Sequence, residues 1–382
     1  MRALRIALPA ARVRRIVLLA AHALRVSLLT THALRVSLRA THALCAAVLA
    51  MLGFVTGALA QPQTPQASTS HAPAQADTRT QANAPTQASS TCPPTAQALT
   101  PERVQAGMSA ARDRGFLWRI TKDGHSSYLY GTIHAAKLEW MFPGPTVADA
   151  LRRSDTIALE LDMLDPDIQQ RLAAALVAPR GFALPAALIA RLRRLMQAEC
   201  IAPETLEKMA PELQIASLTV LAARRDGLDP AYSVDLMLAG FGHGAHKQVR
   251  SLESVDTQMQ ALLLPDREAA IGFVASALDD YDAGRTRPAL NRVAAIWSTG
   301  DYAGLERYED WCECVDTPAE RAALKHLLDD RNPALADAID SLHAGGRHVF
   351  AAVGSLHMVG PLGLPALLAR RGYQVEPIEF AR

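Results

Sequence analysis

Two stretches decide how this chain folds: SYLYGTIH at Ser127–His134 and HVFAAVGSLH at His348–His357. Each is a short run of aromatic, β-branched and small apolar residues that ends in Gly-x-x-His, at Gly131–His134 and at Gly354–His357. Runs of this length and make-up read as strands. The same grammar follows both. After His134 come Pro143-Gly144-Pro145, a short helix over Val147–Arg153, and a buried strand, Thr156–Asp162, that ends in acids. After His357 come Gly360-Pro361-Leu362-Gly363, a helix over Leu364–Arg371 stopped by Gly372, and a closing strand, Tyr373–Ile378. Strand, loop, helix and strand in this order make a βαβ unit with parallel strands. Ahead of the first unit, Leu117–Ile120 and Ser127–Tyr130 flank Lys122-Asp123-Gly124, which is a hairpin signal.

Between the two units, residues 163–345 read as mostly helical. Amphipathic runs lie at Ile168–Val177, Ala187–Ala198, Pro211–Ala223, Asp256–Leu264, Glu268–Ala283, Ala289–Ser298 and Ala319–Leu328. Pro211 suits a first helical position and Gly284 a helix stop. The expected fold is therefore α/β. A mixed sheet is built from the N- and C-terminal βαβ units that carry the Gly-x-x-His motifs, with a large helical insertion between them.

The N-terminal third has a different character. Ala43–Ala60 is uncharged and apolar, follows an Arg-rich stretch and ends in Ala58-Leu59-Ala60, which fits a signal peptide cleaved before Gln61. The run is also nearly long enough to span a bilayer, so an uncleaved anchor is the other reading. Cys45 stands at the start of the apolar run, where a lipoprotein cysteine would stand at its end. Upstream, HALRVSLLTT (22–31) and HALRVSLRAT (32–41) nearly repeat, which reads as a duplication that lengthens the signal's basic region; His22, His32 and His42 are not ligand candidates. Residues 61–105 are rich in Gln, Pro, Ala and Thr, and large apolar residues are scarce. Such a segment buries too little to offset its ordering entropy and is expected as a disordered linker. The division is thus 1–60 signal segment, 61–105 linker and 106–382 folded domain.

Of the 39 basic residues, eight are arginines within residues 1–60, which hold no acid; that leaves 31 basic against 38 acidic residues beyond them. The part that folds is mildly acidic. A nucleic-acid partner would call for a basic face, so none is expected. A membrane enters only through the signal segment. If the chain is exported, its cysteines meet an oxidising compartment, and Cys200 becomes a candidate to bridge Cys312 or Cys314. Cys312-x-Cys314 is too tightly spaced for a zinc knuckle. Connectivity and oligomeric state do not follow from the sequence.

Ligands of open α/β sheets collect beyond the carboxyl ends of strands, and both Gly-x-x-His motifs fall there. The glycine is read as letting the chain turn off the strand, and the histidine as reaching the sheet's top edge. Two such edges side by side would bring His134 and His357 to one metal ion, with Glu160 from the next strand end as a carboxylate. Asp162 shares that face by alternation and competes for the role. Two imidazoles and a carboxylate with open positions suit a divalent transition metal such as Mn, Co or Zn. His243 and His246, set among glycines, read as an exposed loop, and His343 as a helix end. No Gly-x-x-x-x-Gly-Lys and no Gly-x-Ser-x-Gly occurs, so kinase and serine-hydrolase readings lack a motif.

Leu129–His134, the Pro-Gly-Pro loop and Ala158–Asp162 resemble the opening signature of the TraB/GumN family, whose relatives include the TIKI proteins, regarded as metal-dependent proteases. Tyr232-Ser233-Val234-Asp235 and Leu252-Glu253-Ser254 with Gln258 resemble its central block. Arg331-Asn332, Val353–His357 with Gly360, and Gly372-Tyr373 resemble its closing part. The resemblance spans about residues 113–380. It implies His134, His357 and Glu160 as the metal-binding set and Glu253 as a second catalytic carboxylate. It also implies that Arg331 stabilises an oxyanion or orients a carboxylate. For Glu253 the bland alternative is an acid at a helix start, for Arg331 a pair with Asp329 or Asp330, and for Asn332 a turn or a cap.

The expected function is an exported, periplasmic or secreted metal-dependent hydrolase that acts on a peptide or another small substrate. The alternative is a non-catalytic periplasmic protein that binds such a ligand in the same cleft, or an accessory of envelope polysaccharide production.

Overall fold

The computed structural model describes residues 92–312, 315 and 318–381. The signal segment, the duplication and most of the linker lie outside the described residues. Strands β1 (Phe116–Lys122) and β2 (His125–Thr132) form the expected hairpin. Asp123 and Gly124 turn it with φ of 51° and 82°, the left-handed conformation that a two-residue hairpin loop needs at both positions. Helix α1 (Pro101–Ser109) precedes the hairpin. Helix α2 (Pro145–Arg153) follows it and leads into β3 (Thr156–Leu159).

The insertion then runs through α3 (Pro166–Leu176), α4 (Ala186–Ala198), α5 (Pro211–Ala222) and α6 (Val234–Gly244). Strand β4 (Gln248–Ser251) interrupts it. It continues through α7 (Val255–Leu262), α8 (Arg267–Asp282), α9 (Thr286–Thr299) and α10 (Pro318–Leu327). Helix α11 (Asn332–Ala344), strand β5 (Val349–Gly354), helix α12 (Leu364–Arg370) and strand β6 (Gln374–Ile378) close the chain.

The strands form one mixed six-stranded sheet in the order β4-β3-β5-β2-β1-β6. Strands β2, β3, β4 and β5 are mutually parallel, and β1 runs antiparallel between β2 and β6. The fold is thus the α/β one expected. The two βαβ units interleave, because β5 of the second unit lies between β2 and β3 of the first. Every residue of β3 and β5 is buried, as suits central strands covered on both faces.

Two apolar clusters meet at the end of β3. The sheet and its flanking helices form the first, which includes Leu159; the helices of the insertion form the second, which includes Leu161 and Met163. Glu160 stands at that seam, held from both sides by buried neighbours.

Some expectations need correction. Cys200 bridges neither Cys312 nor Cys314; it bonds to Cys92, 108 residues earlier. Its partner comes from the segment read as a linker, which carries no packing signal of its own. The end of that segment is attached to the domain through this disulfide, a hydrogen bond from Gln97 N to the Tyr232 hydroxyl, and α1, which Thr100 caps. His243 lies in the last turn of α6, where a loop was expected, and its Nε2 is 2.7 Å from Asp162 Oδ2. The loop reading rests on Gly242 and Gly244, which flank His243. Gly242 has a packing reason, since a Cβ there would come within 2.6 Å of Val249 Cγ2 on β4.

Candidate functional site

The carboxyl ends of the four parallel strands converge on one cluster. His134 follows β2, Glu160 follows β3, Glu253 follows β4 and His357 follows β5, while Arg331 comes from the residue before α11. All the expected site residues are therefore brought together, as binding at strand ends requires.

The motif glycines act by leaving space. Neither Gly131 nor Gly354 has a positive φ, so neither is needed for turning the backbone. A Cβ on Gly354 would lie 3.1 Å from His134 Nε2 and 3.3 Å from Glu160 Oε1. One on Gly131 would lie 3.1 Å from Ser355 Oγ. The Gly354 N–H donates to Glu160 Oε1 at 2.9 Å, which ties one motif to the carboxylate of the next strand.

Each histidine is oriented through its Nδ1. His134 Nδ1 lies 2.9 Å from Asp235 Oδ2, and the same buried carboxylate accepts from Thr132 Oγ1 at 2.6 Å and Ser233 Oγ at 3.2 Å. His357 Nδ1 lies 2.6 Å from Asn332 Oδ1, while Asn332 Nδ2 donates to the Leu362 carbonyl. An acceptor at Nδ1 leaves Nε2 facing the site. His134 Nε2 is 3.9 Å from Glu160 Oε1. His357 Nε2 instead accepts from Arg331 Nη1 at 3.2 Å.

Arg331 is the hub. Its Nη2 donates to Glu160 Oε2 at 2.7 Å and closely to Glu253 Oε1, and its Nε donates to Glu253 Oε2 at 3.2 Å. Nη1 serves the Leu327 carbonyl as well as His357. A guanidinium has five N–H donors, and these contacts engage all of them. Arg331 thus orients the two carboxylates, and an oxyanion role would require it to release one. Asp330 pairs with Lys325 and His326, and Arg331 turns inward. Asp162, Glu160's competitor, lies past the end of β3, where strand alternation no longer holds, and faces His243.

The electrostatics separate the members. Burial opposes the charge of Glu160, but Arg331, the two histidines and the Gly354 N–H hold its carboxyl well below the usual carboxylate range. Burial and the charge of Glu160 push Glu253 up to about 7 in spite of its ion pair with Arg331. Burial also opposes protonation of His134, but Asp235 and Glu160 outweigh it and raise the imidazole to about 9. Burial, with the charges of Arg331 and His134, pushes His357 down to about 3, so it is the neutral acceptor that Arg331 requires. Arg331 stays charged: burial works against it, but Glu160 and Glu253 raise it.

The donors suit a divalent cation in type, but Arg331 occupies His357 Nε2 and Glu160 Oε2. An ion held by His134, Glu160 and His357 together would compete with the guanidinium for His357 Nε2. Among the described residues, no three His, Cys, Asp or Glu side chains are arranged as a metal-ligand group. His134 Nε2 and Glu160 Oε1 are the expected donors left clear of Arg331.

Sequence reasoning gave no role to Asp235 and Gln258 and read Asn332 as a turn or cap. All three are almost fully buried polar residues against the site. Their only signal was a place in the quoted blocks of family resemblance.

The sequence model described as the TraB/PrgY/gumN family matches residues 116–377. An uncharacterized protein of Shigella flexneri, YbaP, is 27% identical over 281 residues, covering 70% of this chain and 98% of that protein. No solved structure gives a significant match.

Proposed function

The chain belongs to the TraB/PrgY/gumN family, and we propose that it is an exported, divalent-metal-dependent hydrolase of peptide bonds centred on His134 and Glu160. The observation that supports this reading most is the position of Glu160. Its Oε1 accepts from Gly354 N–H and faces His134, while its Oε2 is held by Arg331. One carboxylate thereby joins the two Gly-x-x-His motifs.

Mn, Co or Zn would be held by Glu160 and by His134 Nε2 once the ring gives up its proton there to solvent, a carboxylate and an imidazole of the type these ions take. When bound, such an ion polarises a carbonyl and lowers the pKa of water toward neutrality. The chain's own residues do the rest. Asp235 fixes the His134 ring so that Nε2 faces Glu160. Glu160 serves as ligand or as general base. Arg331 holds Glu160 and Glu253 at fixed distances, and His357 with Asn332 fixes Arg331 in turn. Leu161 and Met163 wall the site on its side toward the insertion.

The Cys92–Cys200 disulfide and the Ala43–Ala60 run support a periplasmic or secreted location. Among the described residues, no helix is long and apolar enough to cross a membrane.

The test is incubation of the purified chain with a mixture of unstructured peptides and added Mn2+, Co2+ or Zn2+, read by mass spectrometry beside Glu160→Gln. Cleaved peptides with the wild type and none with the variant are expected. Peptides that bind and return intact from the wild type would favour the non-catalytic ligand-binding reading.

A further inference from the structure

We infer that Gln258 completes the cation site: its side-chain Oε1, His134 Nε2 and Glu160 Oε1 form the ligand set, and His357 serves Arg331 instead. This rests on the metal-dependent reading above and assigns the ligands within it.

A small pocket of about 10 Å3 lies against His134, Glu160, Asp235 and Gln258, walled by Leu161 and Met163. That is about the volume that one water-sized sphere requires. Gln258 is 2% exposed, and its Oε1 is buried with no hydrogen-bond partner among the described residues. Buried acceptors are nearly always satisfied, so this one asks for a donor or a cation.

The amide's orientation is fixed by its surroundings. Its Nε2 donates to Glu160 Oε2 at 3.4 Å, and it also hydrogen-bonds Glu253. Reversed, Oε1 would meet the ionised Glu160 acceptor against acceptor. The oxygen is therefore the free end.

Position separates the two histidines. His134 has Nδ1 on Asp235, its Nε2 is 3.9 Å from Glu160 Oε1, and it lines the pocket together with Gln258. His357 has Nδ1 on Asn332 and Nε2 on Arg331, so both its nitrogens are engaged. A cation placed on His357 would also lie against the guanidinium, where like charges repel. The site thus divides into a cation-binding side at His134 and a side held by Arg331. An amide oxygen beside a carboxylate and an imidazole is a common cation environment. Because one of the three ligands is an amide, the set does not contain three His, Cys, Asp or Glu side chains.

The test is calorimetric titration of Mn2+ into the purified wild type and Gln258→Met, with melting curves to confirm folding. The wild type should bind about one ion, and Gln258→Met should bind it tenfold or more weakly. As a second readout, the visible spectrum of bound Co2+ should differ between the wild type and Gln258→Glu, where a carboxylate replaces the amide. This pair decides the matter even if Gln258→Met does not fold. Wild-type affinity in Gln258→Met, or an unchanged Co2+ spectrum in Gln258→Glu, overturns the ligand set while leaving the hydrolase reading in place. A wild-type chain that binds none of Mn2+, Co2+ and Zn2+ overturns both.

Discussion

Asn332 Oδ1 accepts a hydrogen bond from His357 Nδ1 at 2.6 Å, which makes the first residue of α11 the part that aims the second motif's histidine at Arg331. The amide's other end is fixed on the Leu362 carbonyl, so the ring has little freedom to rotate.

Replacing Asn332 with Leu should therefore loosen His357 and, through it, Arg331. An expected loss of about 10- to 100-fold in hydrolysis matches the effect of removing partners that orient site residues. The cost in stability should be about 1–3 kcal/mol for the acceptors and donors left buried. Peptide turnover and urea denaturation of the same variant check the two parts separately.

Gly354→Ala tests the role of space at the second motif. The backbone there is not left-handed, so alanine brings no backbone strain. Its Cβ would crowd His134 Nε2 and Glu160 Oε1, within 3.1 and 3.3 Å. Turnover should fall about tenfold or more, while the melting temperature changes by only a few degrees. A variant that melts far lower and keeps its turnover would mean that the glycine serves the fold instead.

Much of this was legible in the sequence, and what was missed has a physical pattern. The strands that carry Gly131 and Gly354 announce themselves by composition, and residues at strand ends follow from topology. Helix α6 was hidden because Gly242 gives up helix propensity for close approach to Val249. The roles of Asp235, Asn332 and Gln258 were hidden for another reason. Each is a polar residue at or near a helix start, where capping is the local expectation, and only tertiary contact reveals a histidine or carboxylate as its partner. Cys92 gave no sign either, because the pairing of cysteines is not a local property.

The lower end of the sheet carries a pH-sensitive residue. His343 is fully buried, with Nδ1 on Ser127 Oγ, Nε2 on the Lys122 carbonyl and the His125 ring stacked at 3.7 Å. Burial, aided by His125, lowers its pKa, against the Lys122 carbonyl hydrogen bond and Asp340. The folded protein thus prefers the neutral ring. Its contribution to stability is fully present above the unfolded value of about 6.5 and is lost as the pH falls below it toward the lower folded value. His343→Gln should show a smaller drop in urea midpoint than the wild type between about pH 7.5 and 5.5. An equal drop would assign the effect to other groups.

The Cys92–Cys200 disulfide closes a loop of more than a hundred residues. Its removal by Cys92→Ser should lower stability by about 2–4 kcal/mol in chemical denaturation, with Cys92→Ser/Cys200→Ser no worse than the single change.

The most direct test of the central claim, that Glu160 and His134 hold a divalent cation, is the metal content of the purified chain after equilibration with Mn2+, measured beside Glu160→Gln. About one ion per wild-type chain, absent from the variant, is the expected result. An ion that survives Glu160→Gln, or a wild type that takes up none, would contradict it.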